Sequence, residues 1–333
     1  MVDVSGASNR ELATLLQATG EVQQELFRRA RLVRDEIVGR EVVLRGVIEV
    51  SSFCQKRCRY CAMRSCNTVA ERFRLSADEI FTIAEGIREC GIGTAFLQSG
   101  QDPRSDQMLE SVIPRIREEL DMDVLLCLGE RPLAEYQRFS DLGAGAYILK
   151  FETANPAYYD ELVGSPLAHR LQCIQWIRAA GMKVGTGNIV GLPRQTFADL
   201  VDDFRLALKI RPDFVSCAPF IPNQGTPLED FPMGNLNSTL NMMAVWRIAL
   251  GNVLIPSVSA LEKLVPGGQT QGLLAGANVI TINFTPPAAR EKYAIYSKQR
   301  FVVSLEHALE TIQAAGLSVS ASFAANGCRG TSP

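Results

Sequence analysis

Short runs of β-branched and apolar residues recur along this chain, and each is followed by a stretch whose apolar positions fall at helical spacing. The runs predict strands at 42–50, 94–98, 123–128, 146–151, 183–190, 214–219, 253–258 and 278–283. The segments between them are amphipathic. SADEIFTIAEGIREC opens on Ser76 with Glu79 three residues later, the signature of a capping box, and TFADLVDDFRLALKI begins at Thr196. Strand and helix in strict alternation imply a parallel sheet, because each helix carries the chain back to the same edge. Eight such units in about 240 residues match the size of an α/β (β/α)8 TIM-type barrel. A doubly wound open sheet shares the same periodicity. Two further helices, at 9–18 and 22–38, make residues 1–41 an N-terminal helical extension that covers the bottom or side of a barrel spanning 42–317. The barrel ends with the helix SLEHALETIQAAG. The tail, 318–333, is rich in Ser, Ala and Gly and is expected to be mobile towards its end.

Composition narrows the function classes. Of the 333 residues 47% are hydrophobic, enough to fill a large core without staples. With Lys+Arg at 34 against Asp+Glu at 36, the chain advertises neither a nucleic acid nor an anionic membrane, so a small molecule is the expected partner. The first residues lack a basic segment followed by an apolar one, and no apolar run could span a bilayer, which together predict a cytoplasmic protein. In that compartment nine cysteines are a poor disulfide framework and a better metal site. Two histidines, His169 and His307, are too few for a His-rich zinc centre.

The chemistry concentrates in CQKRCRYC, where Cys54, Cys58 and Cys61 directly follow the first strand. That position is the C-terminal mouth, where barrels build their active sites. Three thiolates on a cube of four irons leave one iron without a protein ligand, open to a chelating substrate. Lys56, Arg57 and Arg59 lie between them and are expected to favour the thiolate forms. The alternatives are a zinc site completed by Cys66, or thiols buried as small apolar groups.

Beyond these cysteines the sequence resembles the biotin-synthase-related branch of radical S-adenosylmethionine (SAM) enzymes, HydE and methylornithine synthase among them. The resemblance is carried by GVIEVSSFCQKRCRYCAMR, FLQSGQDP, LCLGERP, LKFETANP, GTGNIVGLPRQT, PFIPNQGTPL and LVPGGQTQGLLAGANVI, which extend over nearly the whole barrel. It implies a 4Fe-4S cluster on Cys54, Cys58 and Cys61, with SAM chelated to the remaining iron and cleaved to a 5′-deoxyadenosyl radical. By the same resemblance Tyr60 lies beside the cluster near adenine, Ser99 and Gly100 line the methionine amino end, and Glu152 serves the ribose and sulfonium side. Arg170 matches the carboxylate partner, Lys150 supplies a second cation, and Gly191 and Leu192 lie against the adenine ring. The cluster leaves no further catalytic residue to name. Partners implied are a reductant such as flavodoxin or ferredoxin and a partner maturase or carrier protein. The bland reading makes Lys150, Glu152 and Arg170 surface ion pairs, and His169 a solvated or packing residue.

Departures from the relatives bear on the substrate. The positions of the biotin synthase second-cluster cysteines read Ala95, Leu125 and Gly185, leaving Cys127, Cys217 and the tail residue Cys328 as candidates for an auxiliary site or as structural thiols. Ser216 and Ala260 stand where methylornithine synthase has lysine-binding side chains, Lys150 and Phe151 where HydE has an Arg-His pair, and Gln101 where the relatives carry Glu. These differences predict a pocket less charged than in the relatives. Three readings follow: a HydE-like radical reaction on a small substrate, radical sulfur insertion of the lipoyl or biotin synthase type, and a non-catalytic metal-cluster scaffold.

Overall fold

The computed structural model describes residues 4–296 and 299–320. Helices α1 (Asn9–Leu16) and α2 (Gly20–Ile37) lead into β1 (Glu41–Ser51). The alternation then runs α3 (Ala77–Glu89), β2 (Thr94–Ser99), α4 (Asp106–Glu119), β3 (Asp123–Cys127), α5 (Leu133–Asp141) and β4 (Ala144–Ile148). It continues through α6 (Pro156–Val163), α7 (Leu167–Ala179), β5 (Lys183–Val190), α8 (Phe197–Ile210), β6 (Phe214–Pro219) and α9 (Leu236–Leu250). Short helices α10 (Ser259–Leu264) and α11 (Gly268–Leu274) precede β7 (Val279–Asn283), and α12 (Pro287–Arg290), α13 (Leu305–Ala314) and β8 (Ser318–Val319) complete the described chain.

The strands pair in parallel in the order β6-β5-β4-β3-β2-β1-β7. The ring closes through residues 254–256: Leu254 bridges Phe214 and Pro256 bridges Val279, both in parallel. Val215 N–H donates to Leu254 O at 3.0 Å on one side, and Ser257 N–H to Val279 O at 2.9 Å on the other. Here the structure differs from the strand predicted at 253–258. Pro256 has no N–H to give, so the ladder cannot propagate and only isolated bridges form. At the start of the tail Ser318 and Val319 pair with Glu41 and Val42 of β1, while the end of the tail lies outside the described residues. Helices α1 and α2 pack on α8 and α9, along the side of the barrel. Among the described residues no helix is long and apolar enough to cross a membrane.

Local chemistry explains the elements. Ser76 accepts the Glu79 N–H while Glu79 accepts that of Ser76, and Thr196 with Asp199 repeats the device on α8, so both helices start where the sequence places them. Apart from its first residues, β1 is buried on both faces, as a central parallel strand must be. Inward-facing Val47, Phe96, Leu125, Ala146 and Ile148 form a small plug, while the outward faces join the helices in the main core.

The fourth strand ends earlier than predicted, and the reason matters for function. Ile148 pairs with Gly185, yet the next bridge is between Glu152 and Asn188. Four steps on one side therefore face three on the other, a bulge of one residue. Leu149 N–H still donates to Gly185 O at 2.8 Å, and Glu152 N–H to Gly187 O at 3.0 Å. Lys150 and Glu152 thus leave the regular pleat beside the barrel mouth. Replacing Trp246, fully buried on α9, by Ala is expected to destabilise the fold by about 3–5 kcal/mol, measured as a lower midpoint in urea unfolding.

Candidate active site

The segment from Ser52 to Leu75 loops out of β1 and is folded around one guanidinium. Arg72 Nη1 donates to Ser52 O at 2.6 Å and Met63 O at 2.9 Å, and Nη2 to Arg64 O at 2.9 Å and Asn67 O at 3.3 Å. Its stem is set by buried Asp102, which accepts from Ser51 Oγ at 2.6 Å and from Arg74 Nε at 2.6 Å. At the tip, Gln101 N–H donates to Cys54 Sγ at 3.3 Å, and Gln55 N–H to Gln101 O at 2.9 Å. Gly100 permits this approach: a Cβ there would lie 2.3 Å from Phe53 O and 2.7 Å from Cys54 Cβ.

Cys54, Cys58 and Cys61 line one cavity of about 350 Å³ at the barrel mouth, together with Tyr60, Ser99, Gly100, Lys150, Glu152 and Arg170. The sequence therefore anticipated nine residues that converge. Gly191 and Leu192 are not among the lining residues. Gly191 packs against Gly234 and donates its N–H to Gln195 Oε1 at 2.7 Å, and Leu192 is buried in the outer core. The apolar wall is built instead by Ile189, Pro219 and Ile221. Of the positions compared with a second cluster, Leu125 faces the interior plug, Gly185 lines the cavity and Ala95 faces the outer core. Cys127 lines the cavity, Cys217 is buried with its thiol 3.4 Å from Thr239 O, and Cys328 lies outside the described residues.

The acidic and basic groups are buried rather than superficial. Arg170 Nε donates to Tyr159 Oη at 2.7 Å and lies 2.9 Å from Glu130 Oε1, an ion pair whose N–H points to the tyrosine and not to the carboxylate. Burial opposes its charge, but Tyr159 and Glu130 outweigh that cost and the guanidinium stays charged. Glu130 also accepts from Lys56 Nζ at 2.8 Å; burial pushes its carboxyl up, but Arg170 and Lys56 more than compensate, so it is held ionised. Glu152 Oε2 is 3.2 Å from Lys150 Nζ without an aligned hydrogen bond, leaving a buried acceptor unsatisfied. His169 is half exposed, edge-on to Trp176, with no place in the cavity wall.

The expectation that Lys56, Arg57 and Arg59 would favour thiolates is met in part, since Lys56 lowers the Cys58 thiol, but burial outweighs it. Lys56 is engaged by Glu130 and Ser165, Arg59 lies 3.8 Å from Glu161, and Arg57 faces solvent. Desolvation dominates instead and pushes the Cys58 thiol up to about 11, with Cys61 raised further. Such thiols ionise when they bind metal.

Residues that sequence reasoning missed are Glu130, Arg45, Glu49, Arg300 and Tyr293. Arg45 reaches Thr281 Oγ1 at 2.6 Å and packs on the Phe96 ring, and burial lowers it to about 10. Glu49 accepts from Arg300 at 2.7 Å and Asn283 at 3.1 Å. A signal existed for two of them, since Arg45 and Glu49 are charges inside the apolar run VVLRGVIEV. Arg45, Lys56, Lys150, Arg170 and Arg300 line the pocket together with Glu49 and Glu152.

Residues 48–207 match the model of the Radical SAM superfamily. The chain is 38% identical to the [FeFe] hydrogenase maturase subunit HydE of Thermotoga maritima over 82% of its own length and 79% of the relative's. It belongs to the radical SAM superfamily. It is a radical SAM enzyme similar to HydE, and it is also 27% identical to 3-methylornithine synthase of Methanosarcina acetivorans, over 87% of this chain and 83% of that one. The fold agrees: a crystal structure of methylornithine synthase superposes with a TM-score of 0.83 at 24% identity over 96% of each chain.

Radical SAM enzymes bind a 4Fe-4S cluster and SAM, and the residues around the cavity fit both. Cys66, the fourth ligand of the zinc alternative, is exposed and accepts from Arg64 Nε at 3.1 Å. Glu152 Oε2, buried without a donor, matches a ligand rich in N–H and O–H groups. Gly100→Ala is expected to leave the protein folded by circular dichroism while most iron is lost after anaerobic reconstitution, read by colorimetric iron counting.

Proposed function

We propose that this enzyme reductively cleaves SAM and uses the resulting 5′-deoxyadenosyl radical on a small polar substrate, in a HydE-like reaction. The observation that carries this reading is that three cysteines from one loop share a cavity wall with Glu152 and Arg170, which come from distant parts of the chain. When bound on Cys54, Cys58 and Cys61, the 4Fe-4S cluster supplies one electron to the sulfonium.

The chain's own residues bind, orient and exclude water. Arg170, fixed by Tyr159 through Nε and by Lys150 O through Nη1, with Glu130 beside it, would hold the carboxylate of SAM with its remaining N–H groups. Glu152 would accept from the ribose and sulfonium side, and Lys150 beside it moderates the negative charge. Ser99 and Gly100 would receive the amino end, and Tyr60 with Ile189, Pro219 and Ile221 would enclose adenine. Deeper in the barrel, Arg45 and the Glu49–Arg300 pair favour a substrate with polar or charged groups over an unactivated hydrocarbon chain. A one-electron reductant such as flavodoxin or ferredoxin, and a partner maturase that takes the product, complete the reading.

The test is anaerobic reconstitution, then dithionite and SAM, with chromatography for 5′-deoxyadenosine. The parent enzyme is expected to form it, and Cys58→Ala to form none while retaining little iron. Arg170→Ala should keep its iron and bind SAM at least about tenfold more weakly, the cost of an unmade hydrogen bond to a charge. Absence of 5′-deoxyadenosine from iron-loaded parent protein would leave only the scaffold reading.

A further inference from the structure

Helix α8 carries a carboxylate on the face that packs against the sheet. Asp203 is fully buried among Leu200, Val201, Phe204 and Ala207, and burial pushes it up to about 7. A charge in that position costs the fold stability, so its contacts must explain it. Asp203 Oδ1 accepts the Ala154 N–H at 2.6 Å, and Oδ2 accepts from Asn188 Nδ2 at 2.7 Å. Asn188 is itself fully buried on β5 and is the bridge partner of Glu152.

Both contacts flank one strained residue. Glu152 has φ +62°, a left-handed conformation that is strained for a non-glycine residue. Its neighbours close a three-residue turn, with Thr153 N–H donating to Phe151 O at 2.7 Å. Glu152 donates to Gly187 O at 3.0 Å and accepts from Ile189 N–H at 2.9 Å, so the segment is pinned to β5 on both sides of Asn188. The turn aims the Glu152 carboxylate into the cavity.

We propose that Asp203 is a positioning residue for the SAM site, clamping Ala154 and Asn188 so that the strained turn at Glu152 keeps its carboxylate in the cavity. The proposal rests on the assignment of Glu152 to SAM. Asp203 touches no ligand and acts only through the turn.

Three variants test it: Asp203→Asn, the exchanged pair Asp203→Asn with Asn188→Asp, and Glu152→Gln. In Asp203→Asn an amide N–H₂ faces the N–H₂ of Asn188, and in the exchanged pair donor and acceptor are restored. Equilibrium dialysis of SAM on the reconstituted protein is expected to show roughly tenfold weaker binding for Asp203→Asn and recovery to within about threefold for the exchanged pair, with iron per chain unchanged in both. Hydrogen exchange of the 152–155 amides in cluster-free protein should quicken in Asp203→Asn and recover in the exchanged pair. Parental SAM affinity in Asp203→Asn, with only a lower melting temperature, would reduce Asp203 to a staple between helix and sheet and overturn the proposal. Should Asp203→Asn fail to fold, the exchanged pair decides: near-parental affinity supports the clamp, and tenfold weaker binding with full iron overturns it. If Glu152→Gln binds SAM like the parent, the Glu152 assignment itself fails and the clamp falls with it. If Glu152→Gln weakens binding and Asp203→Asn does not, the clamp alone is wrong.

Discussion

Glu130 is a buried carboxylate between two cations, and the geometry of the mouth depends on it. Lys56 reaches it from within the cysteine loop and Arg170 from α7, so one side chain ties the cluster segment to the opposite wall of the cavity. Without it, two cations would be left in a low-dielectric rim with little compensation, a loss larger than the pair's net stabilisation. Arg72, bonded to four carbonyls of the same loop, does the complementary task by giving an irregular backbone its acceptor partners. The cysteines are held in place by polar groups that have little freedom of their own.

Much of this was legible in the sequence because it is local. Ser76 with Glu79 and Thr196 with Asp199 announce their helices by spacing alone, and the β-branched runs mark the strands within a few residues. The three cysteines signal themselves by their interval. What stayed hidden involves partners far apart in sequence. Nothing near LCLGERP says that Glu130 meets Lys56, 74 positions away. Pro256 interrupts a run that otherwise reads as a strand, and the bulge after Ile148 depends on how β4 meets β5. Gly191 and Leu192 looked like site residues because they sit at a strand end, yet the chain there turns behind the wall.

The interior of the barrel qualifies the comparison with relatives. The residues at Lys150, Phe151 and Gln101 concern only the places compared, and further charges line the cavity elsewhere. Arg45 and Glu49 lie on β1, and Arg300 comes from the segment beyond β7. Burial raises the Glu49 carboxyl above its ordinary range even with Arg300 and Asn283 bonded to it, so these partners offset only part of the desolvation. A cavity that bears the cost of burying such groups suits a ligand able to interact with them.

The single extra residue between Ile148 and Glu152 has an evolutionary corollary. Deleting either Lys150 or Phe151 would let the two neighbouring strands run in unbroken register, a change that favours the sheet. It would also reverse which face each following side chain occupies, turning the acidic group away from the barrel interior. Indels here are therefore not neutral drift in loop length: losing one codon would regularise the architecture while dismantling the chemistry that the irregularity exists to present.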